Sequence, residues 1–371
     1  MVISPQLREN ISADVVVVGS GIAGISAAYH LEKAGYDVAV LEEYEVASGA
    51  TQYSSGILYF GSGTDFQTAV SLWSKEKAKL FFDESKRAID AMVSLVKNNN
   101  WKAGLRSPGT VIVAQNESEK DYLQQEASAM EQLGYPGKLL SSEEVSAYYR
   151  GCKFTAGLFQ PMCHQIKPSA FVPLLASSLK SPVYAQSGMT KIVEKQNGND
   201  VVVQTAHGSI EAKHVVIATN LKPAFGLEQH FFQESSVLLP SQPLGDKLSE
   251  FWSKDVIMWT PDDRYDLLYC HDGTAFLEMY DLQNVDEKTK RYFPPNVSFQ
   301  RDKTIGDAWS KTKDWLPIVG TVNKSKNIHV AIAMGDQGIV MGFTSGANMP
   351  ALINGELNNF LEMTTLKRFL K

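Results

Sequence analysis

Three glycines near the N-terminus have a spacing that suits the binding of phosphate groups. Gly19, Gly21 and Gly24 follow the apolar run from Val15 to Val18 in the pattern G-x-G-x-x-G. The first glycine of this pattern can take the positive φ of a tight turn, the second lets phosphates approach the backbone, and the third lets a helix lie close to a strand. The spacing therefore predicts a site for the pyrophosphate of a dinucleotide at a helix N-terminus.

The residues after the motif predict the strand, helix and strand that would hold it in place. Apolar residues recur at helical spacing after the third glycine, and Gly35 is expected to end this helix. A second apolar run, from Val38 to Leu41, predicts the next strand. Glu42 follows it directly, and its carboxylate can accept hydrogen bonds from a ribose diol. Strand, glycines, helix and acid fall in register, which favours a dinucleotide site over a purely structural glycine turn.

Two other stretches are predicted to contact the same ligand. Residues 43–63 are small, polar and rich in glycine, which predicts an irregular loop whose N–H groups and hydroxyls could contact the cofactor. A plain surface loop is the alternative. The strand from His214 to Ala218 ends in Thr219, and ligands bind at such strand ends in open α/β sheets.

The last third of the chain predicts a second glycine turn before a helix. A strand from Ile328 to Met334 leads into the turn from Gly335 to Gly338. A helix is expected to begin between Ile339 and Gly342 and to continue through Ile353. The N-terminus of this helix would stabilise negative charge on a ligand in front of it.

The middle of the chain predicts helices and an antiparallel sheet. Helices are expected from Phe66 to Asn98 and from Ser118 to Leu133, and Ser141 and Glu144 have the spacing of a capping box. An apolar loop is expected to lead through His164 into the next helix. Short strands between residues 256 and 280 predict an antiparallel sheet. Its aromatic side chains could line a substrate cavity or simply pack the sheet, and they are Tyr265, Tyr269, Phe276 and Tyr280.

The composition argues against several classes of protein. The chain has 371 residues, a net charge of −6 and no run rich in Lys and Arg, so we expect no nucleic-acid partner. Its three cysteines lack the C-x-x-C spacing of zinc or dithiol sites, so no metal is expected, and so few cysteines fit a reducing compartment. No signal peptide and no stretch of 18 consecutive apolar residues is visible, so we expect no membrane span and a cytoplasmic location.

The chain resembles the D-amino-acid oxidase superfamily of FAD-dependent oxidoreductases, which includes glycine and sarcosine oxidases and D-amino-acid dehydrogenases. Three stretches carry the resemblance in the family's order: residues 14–42 with the following GAT…SSG loop, the VVIATN strand end, and DWLPIVG with MGDQGIVMGFTSG. The resemblance implies FAD in an extended pose. It also implies oxidation of a C–N bond by hydride transfer to flavin N5.

The family's architecture implies a mixed α/β chain, α+β overall, with two interleaved domains. A Rossmann-type FAD-binding domain would comprise residues 1–65, 145–225 and 305–371. An antiparallel-sheet substrate domain would comprise residues 66–144 and 226–304 and would cover the flavin ring. The expected FAD contacts are Gly19, Gly21, Ile22, Ala23, Gly24, Glu42, Glu43, Thr51, Gln52, Ser54, Thr219, Gly335, Gln337, Gly338, Ile339, Val340 and Met341.

The chain departs from the family's pattern at the substrate side. Trp309 and Ser310 stand where many members carry Arg-Pro before Leu-Pro-Ile, and no His or Cys stands where the flavin would be attached covalently, so non-covalent FAD is expected. A substrate carboxylate usually needs Arg or Lys with Tyr. The candidates here are Arg264 or Arg301 with Tyr265, although either arginine could be a surface charge. His164 could contact substrate or flavin, or it could be an ordinary loop histidine.

Three hypotheses follow for the function. The first is an FAD-dependent oxidoreductase that oxidises a small amine or amino acid. The second is a related flavoprotein that oxidises or hydroxylates a side chain of a partner protein, which the altered WSKTKDW segment motivates because the usual carboxylate clamp is missing. The third is an FAD-binding protein without turnover. An NAD-only dehydrogenase would leave the GAT loop and the C-terminal glycine turn unexplained.

Overall fold

Two large β-sheets form the framework of the chain in the computed structural model. The structure describes residues 4–369 except 196, 197, 199, 221–225, 262–264, 281–283 and 323–324. Within these residues, one sheet is mostly parallel and the other mostly antiparallel, and each has eight strands. A two-stranded ribbon lies apart from both.

The first sheet has the order β17-β18-β11-β1-β2-β8, and the hairpin β9–β10 pairs with β11. Strands β18, β11, β1, β2 and β8 are parallel, and β17 is antiparallel to β18. The bounds are β1 Asn10–Val18, β2 Val38–Leu41, β8 Val183–Tyr184, β9 Lys191–Glu194, β10 Val201–Gln204, β11 Ser209–Ile217, β17 Ile318–Thr321 and β18 Ile328–Ile332.

The second sheet has the order β16-β12-β15-β14-β13-β4-β6-β5, and only the β13–β4 pair is parallel. Its strands are β4 Thr110–Ala114, β5 Lys138–Ser141, β6 Ala156–Gln160, β12 Phe231–Pro240, β13 Ile257–Trp259, β14 Leu267–His271, β15 Thr274–Met279 and β16 Ile305–Thr312. The separate ribbon consists of β3 Ile57–Leu58 and β7 His164–Gln165.

Helices cover the sheets and connect their strands. Their bounds are α1 Ile22–Lys33, α2 Ala50–Tyr53, α3 Phe66–Trp73, α4 Lys75–Asn98, α5 Glu117–Leu133, α6 Ser142–Ser146, α7 Pro168–Ser177, α8 Leu248–Phe251, α9 Val285–Tyr292, α10 Gly338–Ala347, α11 Met349–Ile353 and α12 Asn359–Thr364. The capping box predicted at Ser141 and Glu144 begins α6.

Both faces of the parallel sheet are buried, since Val15 and Val17 of β1 belong to one apolar cluster and Val16 and Val18 to another, and apolar strands are typical of such a sheet. The run from Val15 to Val18 in β1 is buried, and so is the whole of β2. Ala28 and Leu31 of α1 are fully buried, as their helical spacing requires. Gly35 follows the helix with φ +92°, the left-handed conformation expected of a cap residue.

Helices α1 and α10 pack closely side by side because glycines line their contact. A Cβ atom on Gly342 would lie 2.7 Å from Ile22 Cγ2, and one on Gly346 would lie 2.4 Å from the backbone nitrogen of Ala27. The start of α10 thus meets the start of α1, and the two helices run in the same direction. Their N-termini therefore point to the same side of the molecule.

Several predicted elements are wrong in their details. The helix expected over 66–98 is two helices, because Ser74 turns with φ +84° and caps α4. The loop expected over 43–63 contains α2 and β3, and the apolar loop through His164 contains β6 and β7. The helix expected through Ile353 is broken at Asn348, since Pro350 has no N–H to continue the helical pattern.

The predicted domain boundaries also conflict with the strand pairing at two places. Strand β6 lies within 145–225 and strand β16 lies within 305–371, which the sequence places in the FAD-binding domain, yet both pair within the second sheet. The division into domains otherwise stays a prediction.

Candidate functional site

A cavity of about 370 Å³ lies between the two sheets. On one side it is lined by the carboxyl ends of β1 and β2, the residues after β11, and the N-terminal turns of α1 and α10. On the other side it is lined by residues of β4, β13, β14, β15 and β16. The cavity thus joins the glycine motif of the first sheet to the aromatic side chains of the second.

The glycine motif forms a tight cradle at one end of this cavity. Gly19 has φ +104°, and a Cβ there would lie 2.5 Å from the carbonyl oxygen of Ala218. A Cβ on Gly24 would lie 1.8 Å from the carbonyl oxygen of Gly19. Gly21 lines the cavity at the start of α1. The three positions therefore serve the turn, the backbone approach and the helix packing that the spacing predicts, which fits a bound pyrophosphate.

Two side chains fix the start of α1. The Thr51 hydroxyl accepts a hydrogen bond from the backbone N–H of Ile22 at 3.1 Å, and Thr51 is 6% exposed. The Glu42 carboxylate accepts hydrogen bonds from the N–H of Ser20 at 2.9 Å and from the Ser20 hydroxyl at 2.7 Å. Glu42 is thus held at the end of β2, where it lines the cavity and retains lone pairs for a ribose diol.

The second glycine turn lies beside the first. Gly335 has φ +71°, and a Cβ there would lie 2.4 Å from the carbonyl oxygen of Ser62, so only glycine fits. The turn leads into α10, whose first N–H groups have no partner within the helix. The Oε1 atom of Gln337 is buried without a hydrogen-bond partner among the described residues. An acceptor of this kind at the cavity wall fits a ligand that donates a hydrogen bond.

The structure brings most of the predicted cofactor residues to the cavity wall. Those that line it are Gly19, Gly21, Ile22, Ala23, Glu42, Glu43, Thr51, Ser54, Thr219, Gly335, Gln337, Gly338 and Ile339. The predicted contacts outside this set are Gly24, Gln52, Val340 and Met341. Val340 and Met341 are fully buried in the core, and Gly24 supports the cradle from behind.

The predicted catalytic residues are spread more widely. Tyr265 lines the cavity, and burial, with nearby Asp336 and Glu278, raises its pKa well above the usual value. His164 is absent from the described residues that line the cavity; its Nδ1 lies 2.7 Å from the Ser107 hydroxyl, and burial lowers its pKa. Arg264 lies outside the described residues.

Arg301 is a surface residue. Its side chain is 62% exposed and pairs with Asp286. The structure therefore favours the alternative that Arg301 is a surface charge.

Asp336 is a cavity residue that the sequence did not single out. Its carboxylate accepts hydrogen bonds from the indole N–H of Trp309 at 2.7 Å and from the hydroxyl of Tyr280 at 3.0 Å. The side chain is 1% exposed, and burial raises its pKa, while Lys311, Trp309 and Tyr280 act in the opposite direction. The only signal in the sequence is its place between two glycines of the turn.

A second group of acidic residues lines the cavity at the start of α3. Glu126 is fully buried and accepts hydrogen bonds from the N–H groups of Phe66 at 2.9 Å and Gln67 at 3.0 Å. Asp65 caps the same helix and accepts a hydrogen bond from the Tyr122 hydroxyl. Burial and the charge of Asp65 raise the pKa of Glu126 to about 8. Glu126 lies on α5, distant in sequence from its partners, so no local pattern could reveal this group.

Fold and cavity together define a protein built to hold a dinucleotide between a parallel and an antiparallel sheet. Comparison with known families gives the more specific class. The model of the family described as DAO, FAD dependent oxidoreductase, matches residues 14–349, and the chain belongs to this family. The predicted family, fold class and FAD cofactor are thereby confirmed.

Individual relatives are only distantly similar to this chain. Glycine oxidase of Bacillus licheniformis is 25% identical over 373 residues, which covers 92% of this chain and 93% of that protein. Gamma-glutamylputrescine oxidoreductase of Escherichia coli is 28% identical over 218 residues, which covers 58% of this chain and only 50% of that protein. The match to a probable oxidoreductase of Haemophilus influenzae covers 59% of its length.

Solved structures share the fold. The crystal structure of glycine oxidase from Geobacillus kaustophilus has a TM-score of 0.79 and 18% identity, covering 96% of this chain and 99% of that one. L-proline dehydrogenase from P. horikoshii has a TM-score of 0.77 and 18% identity, covering 97% of this chain and 98% of that one.

Across the described part of the chain, every helix is too short or too polar to cross a bilayer.

Proposed function

We propose that this chain oxidises a C–N bond of a small amine or amino acid, for which bound FAD supplies the hydride acceptor at N5. One observation carries the proposal. A single cavity joins the glycine cradle of the parallel sheet to a pocket of aromatic and acidic side chains on the antiparallel sheet. The names of glycine oxidase and gamma-glutamylputrescine oxidoreductase support it, since both name compounds that contain C–N bonds.

The residues of the first sheet would bind and orient the cofactor. The N-terminus of α1 would hold the pyrophosphate through backbone N–H groups, with Gly19 and Gly21 leaving room for the phosphates. Glu42 would accept hydrogen bonds from the ribose. The N-terminus of α10, with Gly338 and Ile339, would place N–H groups and the positive end of the helix dipole where negative charge develops.

The residues of the second sheet would hold the substrate and keep water away. Trp259, Tyr265 and Trp309 line this side of the cavity with aromatic surface. A tyrosine hydroxyl is protonated at neutral pH, and burial raises the pKa of Tyr265 further, so this hydroxyl can donate a hydrogen bond. Positioning and exclusion of water are the main tasks of the protein in this chemistry.

An absorbance spectrum of the purified protein, followed by anaerobic addition of donors, tests the proposal. The donors are D-amino acids, glycine, sarcosine, proline and simple amines. We expect flavin bands that bleach with at least one donor. A protein that binds no FAD would refute the proposal, and bound FAD that no donor bleaches would favour a binding protein without turnover. The relatives named above give no support to a protein substrate.

A further inference from the structure

The charges around the cavity are strongly one-sided. Among the described residues that line it there is no Lys, Arg or His. Two acidic residues lie at the dinucleotide end, and four lie toward the second sheet and α3. The four are Asp65, Glu126, Glu278 and Asp336. Glu126 is mostly protonated at neutral pH because its pKa is raised to about 8. The other three carboxylates would repel a substrate carboxylate and attract a substrate cation.

Aromatic rings in the same part of the cavity also suit a cation. The rings of Tyr59 and Trp259 meet edge to face with centroids 4.7 Å apart, and the Trp259 and Tyr265 centroids are 6.5 Å apart. All three residues, together with Trp309, line the cavity. The faces of Trp and Tyr attract ammonium groups, and this attraction grows when the cation is desolvated.

Asp336 is the carboxylate best placed to hold a cation. Trp309 and Tyr280 each donate a hydrogen bond to one of its two oxygens, so its orientation is fixed. The nearest described cation, Lys311, has its Nζ 3.8 Å from Asp336 Oδ1 and also 3.8 Å from Glu234 Oε1. One lysine thus neighbours two carboxylates, so Lys311, Asp336 and Glu234 together keep a net negative charge.

We infer that the cavity recognises its substrate as an organic cation, a primary or secondary amine without a carboxylate beside the nitrogen, with Asp336 contacting the ammonium group. The inference rests on the proposed function and narrows its substrate class. An α-amino acid would bring a second anion next to Asp336 in a site shielded from water, and like charges repel strongly there. An amine of the same carbon skeleton brings only the complementary charge.

The rival explanation is a carboxylate clamp supplied by Arg264, which lies outside the described residues. The two explanations predict opposite responses to the same pair of ligands. Butylamine and norvaline share one carbon skeleton and differ only by the carboxylate. Both enantiomers of norvaline are needed, since the handedness of the site is not part of the inference.

The test is an anaerobic titration of the FAD-loaded protein, followed by flavin absorbance. The concentration dependence of bleaching, or of the spectral shift where there is no bleaching, gives each Kd. We expect butylamine to bind at least about 10-fold more tightly than either norvaline, and Asp336→Asn to weaken butylamine by about 10- to 100-fold, the range of a hydrogen bond to a charged group. Asp272→Asn is the matched control, because this side chain is 89% exposed in the β14–β15 turn.

Each result decides between the explanations. Norvaline binding as tightly as butylamine would overturn the inference while leaving the proposed function intact, and its loss in Arg264→Gln would establish the clamp. Butylamine binding that Asp336→Asn leaves unchanged would also overturn the inference, provided that the variant still carries FAD. A failure to bind FAD at all would refute the proposed function itself, which separates the two failures.

Discussion

Replacing Gly24 with alanine tests the cofactor cradle most directly, because one methyl group would enter space already filled by backbone. The new Cβ would lie 1.8 Å from the carbonyl oxygen of Gly19 and 2.9 Å from its carbonyl carbon. Protein Cβ contacts essentially never fall below 3.0 Å, so α1 or the turn must move by at least 1.2 Å, the difference between 3.0 and 1.8 Å. Overpacking typically costs about 1–3 kcal/mol, and because a backbone carbonyl cannot rotate away we expect about 3 kcal/mol.

Two measurements check this expectation. Urea unfolding of the FAD-free protein gives the loss in free energy of unfolding, and a flavin titration gives the FAD affinity, which should fall at least about 10-fold because the turn at Gly19 is displaced. Gly306→Ala is the control: it lies in edge strand β16 with nothing within 4 Å of the added Cβ. We expect it to change stability by no more than about 0.5 kcal/mol. Unchanged stability and FAD affinity in Gly24→Ala would refute the close approach of α1 and β1.

Three further predictions concern single side chains. Thr51→Val removes the acceptor for the Ile22 N–H and should cost about 1–2 kcal/mol in urea unfolding, whereas Thr51→Ser should cost less. Burial raises the pKa of Glu126 from 4.5 to about 8, so the native state binds this proton more tightly than the unfolded chain. The free energy of unfolding should therefore fall between pH 4.5 and 8, and unfolding curves across this range should show a weaker fall in Glu126→Gln. Arg368→Lys should lower the free energy of unfolding by about 2 kcal/mol and with it the thermal midpoint. The reason is that lysine cannot replace a guanidinium that donates hydrogen bonds to the Asp314 carboxylate and to several backbone carbonyls.

The parts of the site built from neighbouring residues could be predicted from the sequence. The glycine motif, β2 and the acid after it lie within residues 14–42, where β1 pairs with β2 and Glu42 accepts a hydrogen bond from the N–H of Ser20. The second glycine turn is also a short-range pattern, in which Gly335 takes a positive φ of +71°. Such short-range patterns determine backbone conformation directly, so their residues reach the cavity wall as expected.

The parts that depend on distant neighbours could not be predicted. Ser74 interrupts a pattern that is helical on both sides, and its own residue type gives no sign of a positive φ. The sequence of β6 predicts an apolar loop, but this segment forms a strand because it pairs with β5 and with the more distant β4. The carboxylate of Glu126 meets the N-terminus of α3 only through the packing of α5 on α3. Charge clusters of this kind are properties of the fold, and no spacing in the sequence encodes them.

The turn between β18 and α10 shows how one local pattern can serve two ends of a site. The first backbone N–H groups of α10 carry positive partial charge, which would stabilise negative charge on a bound cofactor. Asp336, between the glycines of this turn, presents a carboxylate to the other side of the cavity, where Trp309 and Tyr280 hold it. Its pKa is nevertheless raised, so burial outweighs the compensation that Lys311, Trp309 and Tyr280 provide. A bound ammonium group would supply the missing compensation, and the cavity would then favour the ligand that makes its own buried charge less costly.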